Sequence, residues 1–185
     1  LSTGMIPWIA FSEALNHSTV VIHSNVNLVK KVIFPLEVLP VTATIAGFIH
    51  SLFGFIMLLA VIIIINHSIH PTIILLPIVA IPQLLFTLGL SWFLASLSVF
   101  VRDMGQIIGL VLTGWMYMTP ILYPVDMIPE RFRLAWSLMN PMYGIVEGYR
   151  SLLLYGIMPD LKFLLWTSLI GVIATLLGYF WFMKT

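Results

Sequence analysis

Residues 25–40 read NVNLVKKVIFPLEVLP, a polar and doubly basic break between two long apolar runs, and the reading of this break decides the fold. A lysine costs about 2.5 to 3.5 kcal/mol at the centre of a bilayer on insertion scales, so Lys30 and Lys31 belong at or outside a membrane surface. The runs on either side are therefore separate spans. Composition makes the membrane the expected solvent: hydrophobic residues are 61% of the chain, charged residues 8%, and mean hydropathy is +1.09. Soluble domains carry roughly a quarter charged residues, and so few ionic groups cannot clothe a surface in water. A net charge of +1 gives no field for nucleic acid, and the absence of cysteine removes disulfides, thiolate chemistry and cysteine-type zinc sites.

Upstream of the break, the chain opens at Leu1 without an initiator methionine, already inside an apolar run reaching about Val21, and is read as a fragment. Glu13 interrupts this run, which lacks the basic leader and cleavage site of a signal peptide and reads as a membrane helix. Trp8 and Phe11 share one of its faces. Downstream, residues 38–66 exceed the length needed to cross about 30 Å of hydrocarbon. After a polar turn at 67–71, apolar character persists to Tyr123, too far for one helix. Arg102 and Asp103 are its only charges and are placed at a surface, which divides the run into spans 73–101 and 105–123 joined as a tight hairpin.

The pattern changes over 124–160, where Pro124, Pro129, Pro141 and Pro159 punctuate the chain. Two short amphipathic helices, near 130–138 and 141–155, are expected to lie in the interface or dip back into the protein, with Pro141 in a first turn and Gly156 as a C-cap. Residues 161–183 form a last span. The expectation is an all-α integral membrane protein, one transmembrane domain over residues 1–185 with five spans and re-entrant amphipathic helices before the last. Lys30, Lys31, Arg102 and Lys184 fall on one side, and Arg131, Arg133, Arg150 and Lys162 on the other, a tie that leaves orientation open.

Chemistry-bearing motifs are sparse. There is no GxxxxGK[ST] loop, HExxH, GxSxG or paired acidic cluster, so no catalytic residue and no metal site is assigned. His67 and His70 flank a turn with no third ligand nearby and read as solvent-facing. Glu13 and His50 are polar groups at membrane depth, suited either to a transport role or to bonding between helices. Gly105 and Gly109 form a GxxxG that permits close helix packing. Trp115, Tyr117 and Tyr123 are expected on one helix, though a step of two residues turns Trp115 and Tyr117 to different faces. Glu147 and Arg150 are i,i+3 ion-pair partners.

Three stretches, NVNLVKKVIFPLEVLP, SLSVFVRDMGQIIGLVLTGWMYMTPILYP and NPMYGIVEGYRSLLLYG, occur in this order. Jointly they resemble the membrane subunit of ABC-2 type exporters of the polysaccharide, O-antigen or teichoic-acid branch. The resemblance implies six spans and an N-terminal amphipathic helix, so that the first helix and first span lie outside this chain. It implies that residues 25–34 are a cytoplasmic coupling helix offering Asn25, Asn27, Lys30 and Lys31 to a separate ATP-hydrolysing subunit, and this resolves the orientation. Leu36 departs from the basic residue often found at its position. ATP and magnesium then belong to the partner, and this chain binds no cofactor.

By the same resemblance Arg102 and Asp103 cap a cytoplasmic hairpin, Trp115, Tyr117 and Tyr123 are channel candidates, and Glu147 and Arg150 belong to an outer gate. The implied assembly is a permease homodimer in the cytoplasmic membrane, moving a lipid-linked glycan among membrane lipids. The alternatives are export of a drug or small lipid, or a membrane-embedded lipid-sugar transferase. The latter needs positioned acid, base or metal groups, whereas the charges here sit mostly at span ends.

Overall fold

The computed structural model describes residues 2–25, 35–66, 70–123 and 127–185, and these form helices and turns without a strand. Of the coupling segment only Asn25 is described; Asn27, Lys30 and Lys31 lie outside the described residues, as does His67. The helices are α1 (Ser2–Ser24), α2 (Val38–Asn66), α3 (Leu76–Phe100), α4 (Met104–Met118), α5 (Glu130–Met139), α6 (Pro141–Arg150) and α7 (Leu161–Lys184). A 3-10 turn, Pro71–Leu75, leads into α3, and a π turn, Ser151–Tyr155, follows α6.

Among the described residues three stretches are long and apolar enough to cross a membrane: Val38–Ile64, Pro71–Phe100 and Leu161–Lys184. Helix α1 has 23 residues, or about 34 Å of rise, but carries Glu13 and a run of polar side chains. Helix α4 has 15 residues and rises about 22 Å, short of the hydrocarbon thickness. The apolar run was expected to stay helical to Tyr123, and this boundary is corrected. Proline disfavours the α region in the residue before it, and Thr119, ahead of Pro120, is extended at φ −94° and ψ 136°. The helix stops at Met118, and Tyr123 therefore lies off it.

The two ends of the bundle are distinct. At one, the C-terminal end of α1 and the start of α2 meet the last turns of α3 and α7 in a small core of Val21, Leu39, Ala43 and Ala95, with Phe182 packed against it. The Arg102–Asp103 turn closes this end: Val101 N–H bonds back to Leu97, and Met104 N–H to Val101. Both charged residues are exposed, as a surface turn requires. At the other end α5 lies on the surface, while α6 is buried along most of its length among α1, α3 and α7. Of the two placements open to the short helices, α6 takes the one inside the protein.

Helices α3 and α7 cross with their backbones in contact. A Cβ on Gly178 would collide with the carbonyl of Gly89, a Cβ on Gly89 with Ala174, and a Cβ on Gly171 would stand 2.9 Å from the Pro82 carbonyl. Thr175 Oγ1 donates across the crossing to the Leu85 carbonyl at 2.7 Å. The GxxxG of α4 does not play this part within the chain, because a Cβ on Gly109 would meet nothing within 4 Å and one on Gly105 only Thr19 at 3.5 Å. Close approach is thus made by glycines in the plain apolar runs, where small residues let backbones meet.

Candidate functional site

The end of the bundle holding α5 and α6 carries a polar network centred on Asn140. Because α4 ends at Met118, with Thr119 as its C-cap, and α6 begins at Pro141, two helix termini face each other, and Asn140 serves both. Its Oδ1 accepts from Met142 N–H at 3.2 Å, the N-cap bond of α6, and from Trp115 Nε1 at 2.9 Å. Its Nδ2 donates to Thr119 Oγ1 at 2.9 Å, and the Met118 carbonyl accepts from Trp136 Nε1 at 2.6 Å. Asn140 and Thr119 are buried. A cavity of about 430 Å³ opens beside this hub, lined by Trp115, Trp136, Asn140, Gly114 and the aliphatic side of α4.

Arg150 is the second anchor. At 7% exposure its guanidinium is buried; Nη2 donates to the Ile121 carbonyl at 2.9 Å and Nη1 lies 3.6 Å from Glu147 Oε2. The expected i,i+3 ion pair is present, and Arg150 also ties α6 to the turn after α4. The π turn that follows is braced by Thr72, whose hydroxyl donates to the Leu152 carbonyl at 2.7 Å. It ends at Gly156 with φ 64°, the expected C-cap, over which His70 packs so closely that a Cβ would meet its Nδ1 at 2.6 Å.

The aromatic candidates are not brought together. Trp115 points inward and meets Phe11 edge-on at 5.3 Å and Phe86 at 6.2 Å, with Phe11 also 5.5 Å from Trp8. Tyr117, 62% exposed, points away from it. Tyr123 folds back, its hydroxyl donating to the Tyr117 carbonyl at 3.3 Å. Only Trp115 of the three lines the cavity beside Asn140. The sequence reading missed Asn140, Thr119 and Trp136. A signal was present in Asn-Pro at 140–141, a cap residue before a first-turn proline, and in Thr119 before Pro120.

At the opposite end, the residues that flank segment 25–34 on either side are pinned to α3. His23 Nε2 is 3.0 Å from the Ser98 carbonyl, and Trp92 Nε1 donates to the Glu37 carbonyl at 2.9 Å. Asn25 is half-buried and donates to Val21 O at 2.8 Å. Midway along the bundle, His50 Nδ1 and Glu13 Oε1 bond between α2 and α1 at 2.5 Å, which realises the interhelical role open to them. Among the described residues no group of three or more His, Cys, Asp or Glu could hold a metal.

The ABC-2 type transporter family model matches residues 1–154. The chain is similar to an O-antigen export system permease protein RfbA of Klebsiella pneumoniae, at 30% identity over 96% of this chain and 68% of that protein. It is similar to an O-antigen export system permease protein RfbA of Myxococcus xanthus, at 31% identity over 92% of this chain and 66% of that protein. It thus spans about two thirds of the length of both relatives. With its long apolar helices and this match over most of its length, the chain is a multi-pass membrane protein and belongs to the ABC-2 type transporter family.

Proposed function

We propose that the chain is the permease subunit of an ATP-binding-cassette exporter that moves a lipid-linked polysaccharide of the O-antigen type across the cytoplasmic membrane. The observation that carries this reading is the similarity to O-antigen export permeases along 92 to 96% of the chain, joined to a bundle whose outer end holds two short helices that do not cross, the second of them, α6, buried in the protein. Non-spanning backbone at membrane depth is tolerated where protein or water covers it. Helix α6, capped by Asn140 and tied by Arg150, fits a gate, with Glu147 and Arg150 inside it rather than on its rim. Trp115, beside the Asn140 cavity, is the aromatic candidate suited to a sugar ring, whose apolar face stacks while its hydroxyls stay wet. The permease works as a homodimer with two ATPase subunits that hold ATP and magnesium, and itself hydrolyses nothing.

In this reading Asn25, Asn27, Lys30 and Lys31 form the ATPase-docking surface, and the His23 and Trp92 bonds pass its displacement to α3. Cysteines placed singly at 25, 27, 30 and 31 are expected to crosslink to the ATPase and to be shielded from a charged thiol reagent when it is bound. Free labelling with the ATPase bound, or labelling only from outside the cell, overturns the docking assignment.

A further inference from the structure

One face of α1 is anomalous for a membrane helix. From Ser12 to its C-terminal end its exposed or half-buried residues are Ser12, Glu13, Asn16, His17, Val20, Ile22, His23 and Ser24, so polar groups dominate over that half of the helix. The outward faces of α2 and α7 are apolar, with Ile49, Leu52 and Phe53 next to His50 and Leu169, Val172, Ile173 and Leu176 on α7 all exposed. Lipid suits those faces and not this one, because intramembrane ionisable side chains face protein or water.

The depth is fixed twice. Glu13 lies eleven residues before the end of α1, about 16 Å by helical rise, and His50 twelve residues after the start of α2, about 18 Å, at the same end of the bundle. Their direct bond shows that the two heights agree. His17 Nε2 stands 3.8 Å from the same carboxylate oxygen, and the side chains of His17 and His50 are 59% and 69% exposed. Beyond His50 itself, helices α2 and α3 contribute no charged or titratable side chain. From His17 a cavity of about 340 Å³, lined also by Ser24, Asn25 and Thr42, runs to the α1–α2 end. The cavity, lined also by Val20, Val21, Ala43 and Ala46, thus carries polar groups at both its mid-depth end and its surface end.

We propose that this stripe, Ser12, Glu13, Asn16 and His17 of α1 with His50 of α2, is a water-filled contact surface for the hydroxyls of the glycan in transit. A carboxylate, an amide and two imidazoles offer acceptors and donors of the kind that vicinal hydroxyls exchange with water, so a polar chain slides along them without a desolvation barrier. The Glu13–His50 bond holds the two helices in register behind the stripe. The proposal rests on the exporter reading and adds to it the wall that the substrate touches, distinct from the Trp115 cavity.

These 185 residues contain no cysteine, so once cysteines elsewhere in the transporter are replaced by serine, single replacements report without background. In the complete transporter, Asn16→Cys, His17→Cys and His50→Cys are expected to react with a membrane-impermeant charged thiol reagent, and Ile173→Cys, at mid-height on α7, is not. With lipid-linked glycan at about ten times its Kd, labelling at 16 and 17 is expected to slow about tenfold, the free fraction that remains. Unreactive cysteines at 16 and 17 in an export-competent complex overturn the proposal, because another helix then covers the face. Reaction that glycan does not slow overturns it also, while leaving the exporter reading standing; that reading fails separately if ATP-driven glycan movement does not need this chain.

Discussion

Replacing Gly178 by leucine is expected to leave no folded permease, and Gly178→Ala alone to lower its thermal midpoint in detergent markedly. The physical reason is that the new Cβ meets main chain and not the yielding end of a side chain. At Gly178 the obstacle is the carbonyl of Gly89, and at Gly89 it is the backbone of Ala174 and Thr175. Extra core methylenes already cost about 1 to 3 kcal/mol where side chains can shift, and two packed backbones cannot shift without parting α3 from α7. Parting them breaks the Thr175 bond to Leu85 and the Trp92–Tyr179 and Phe93–Trp181 contacts. Gly109→Ala and Gly114→Ala are the controls, since a methyl there enters open space and alanine is favoured over glycine inside a helix by about 0.5 to 1 kcal/mol. Monodisperse, wild-type-like Gly178→Leu protein contradicts the crossing.

Arg150→Glu is expected to cut export at least tenfold and to destabilise the protein, while Glu147→Arg has the smaller effect. Breaking a buried ion pair costs about 3 to 5 kcal/mol because a charge is left without its partner. Position 150 is the worse place for a reversal: its side chain is 8% exposed, against 33% for Glu147. The double exchange restores opposite charges and recovers part of the loss. It does not recover all of it, because a carboxylate at 150 cannot donate to the Ile121 carbonyl that Arg150 now satisfies. Surface glycan and thermal midpoint, measured together, separate two roles. Lost export with an unchanged midpoint supports the gate, a parallel fall in both makes Arg150 an anchor of the fold, and full export by Arg150→Glu contradicts both.

The spans were legible because membrane insertion is read from local apolarity, and the Arg102–Asp103 turn because a charge pair has nowhere else to go. Gly156 and Pro141 could be placed for the same reason: each is dictated by its own backbone preference. What stayed hidden depends on which distant groups meet. Arg150 looks like one half of a helix-surface pair until Ile121, 29 residues away, is brought beneath it. Asn140 looks like a loop residue until Trp115 and Thr119 converge on it. The α3–α7 crossing is hidden because the GxxxG spacing points to α4, while Gly171 and Gly178, two turns apart on one face, carry the weaker signal. Tyr123 was misplaced by reading apolarity past Pro120, where backbone sterics outrank hydropathy.

The most direct test of the exporter reading is glycan movement in inverted membrane vesicles containing the complete transporter and its lipid-linked glycan. The account predicts that ATP lowers the glycan accessible to an external lectin, and that vesicles lacking this chain show no such fall. An equal fall without the chain, or none with it, contradicts the account.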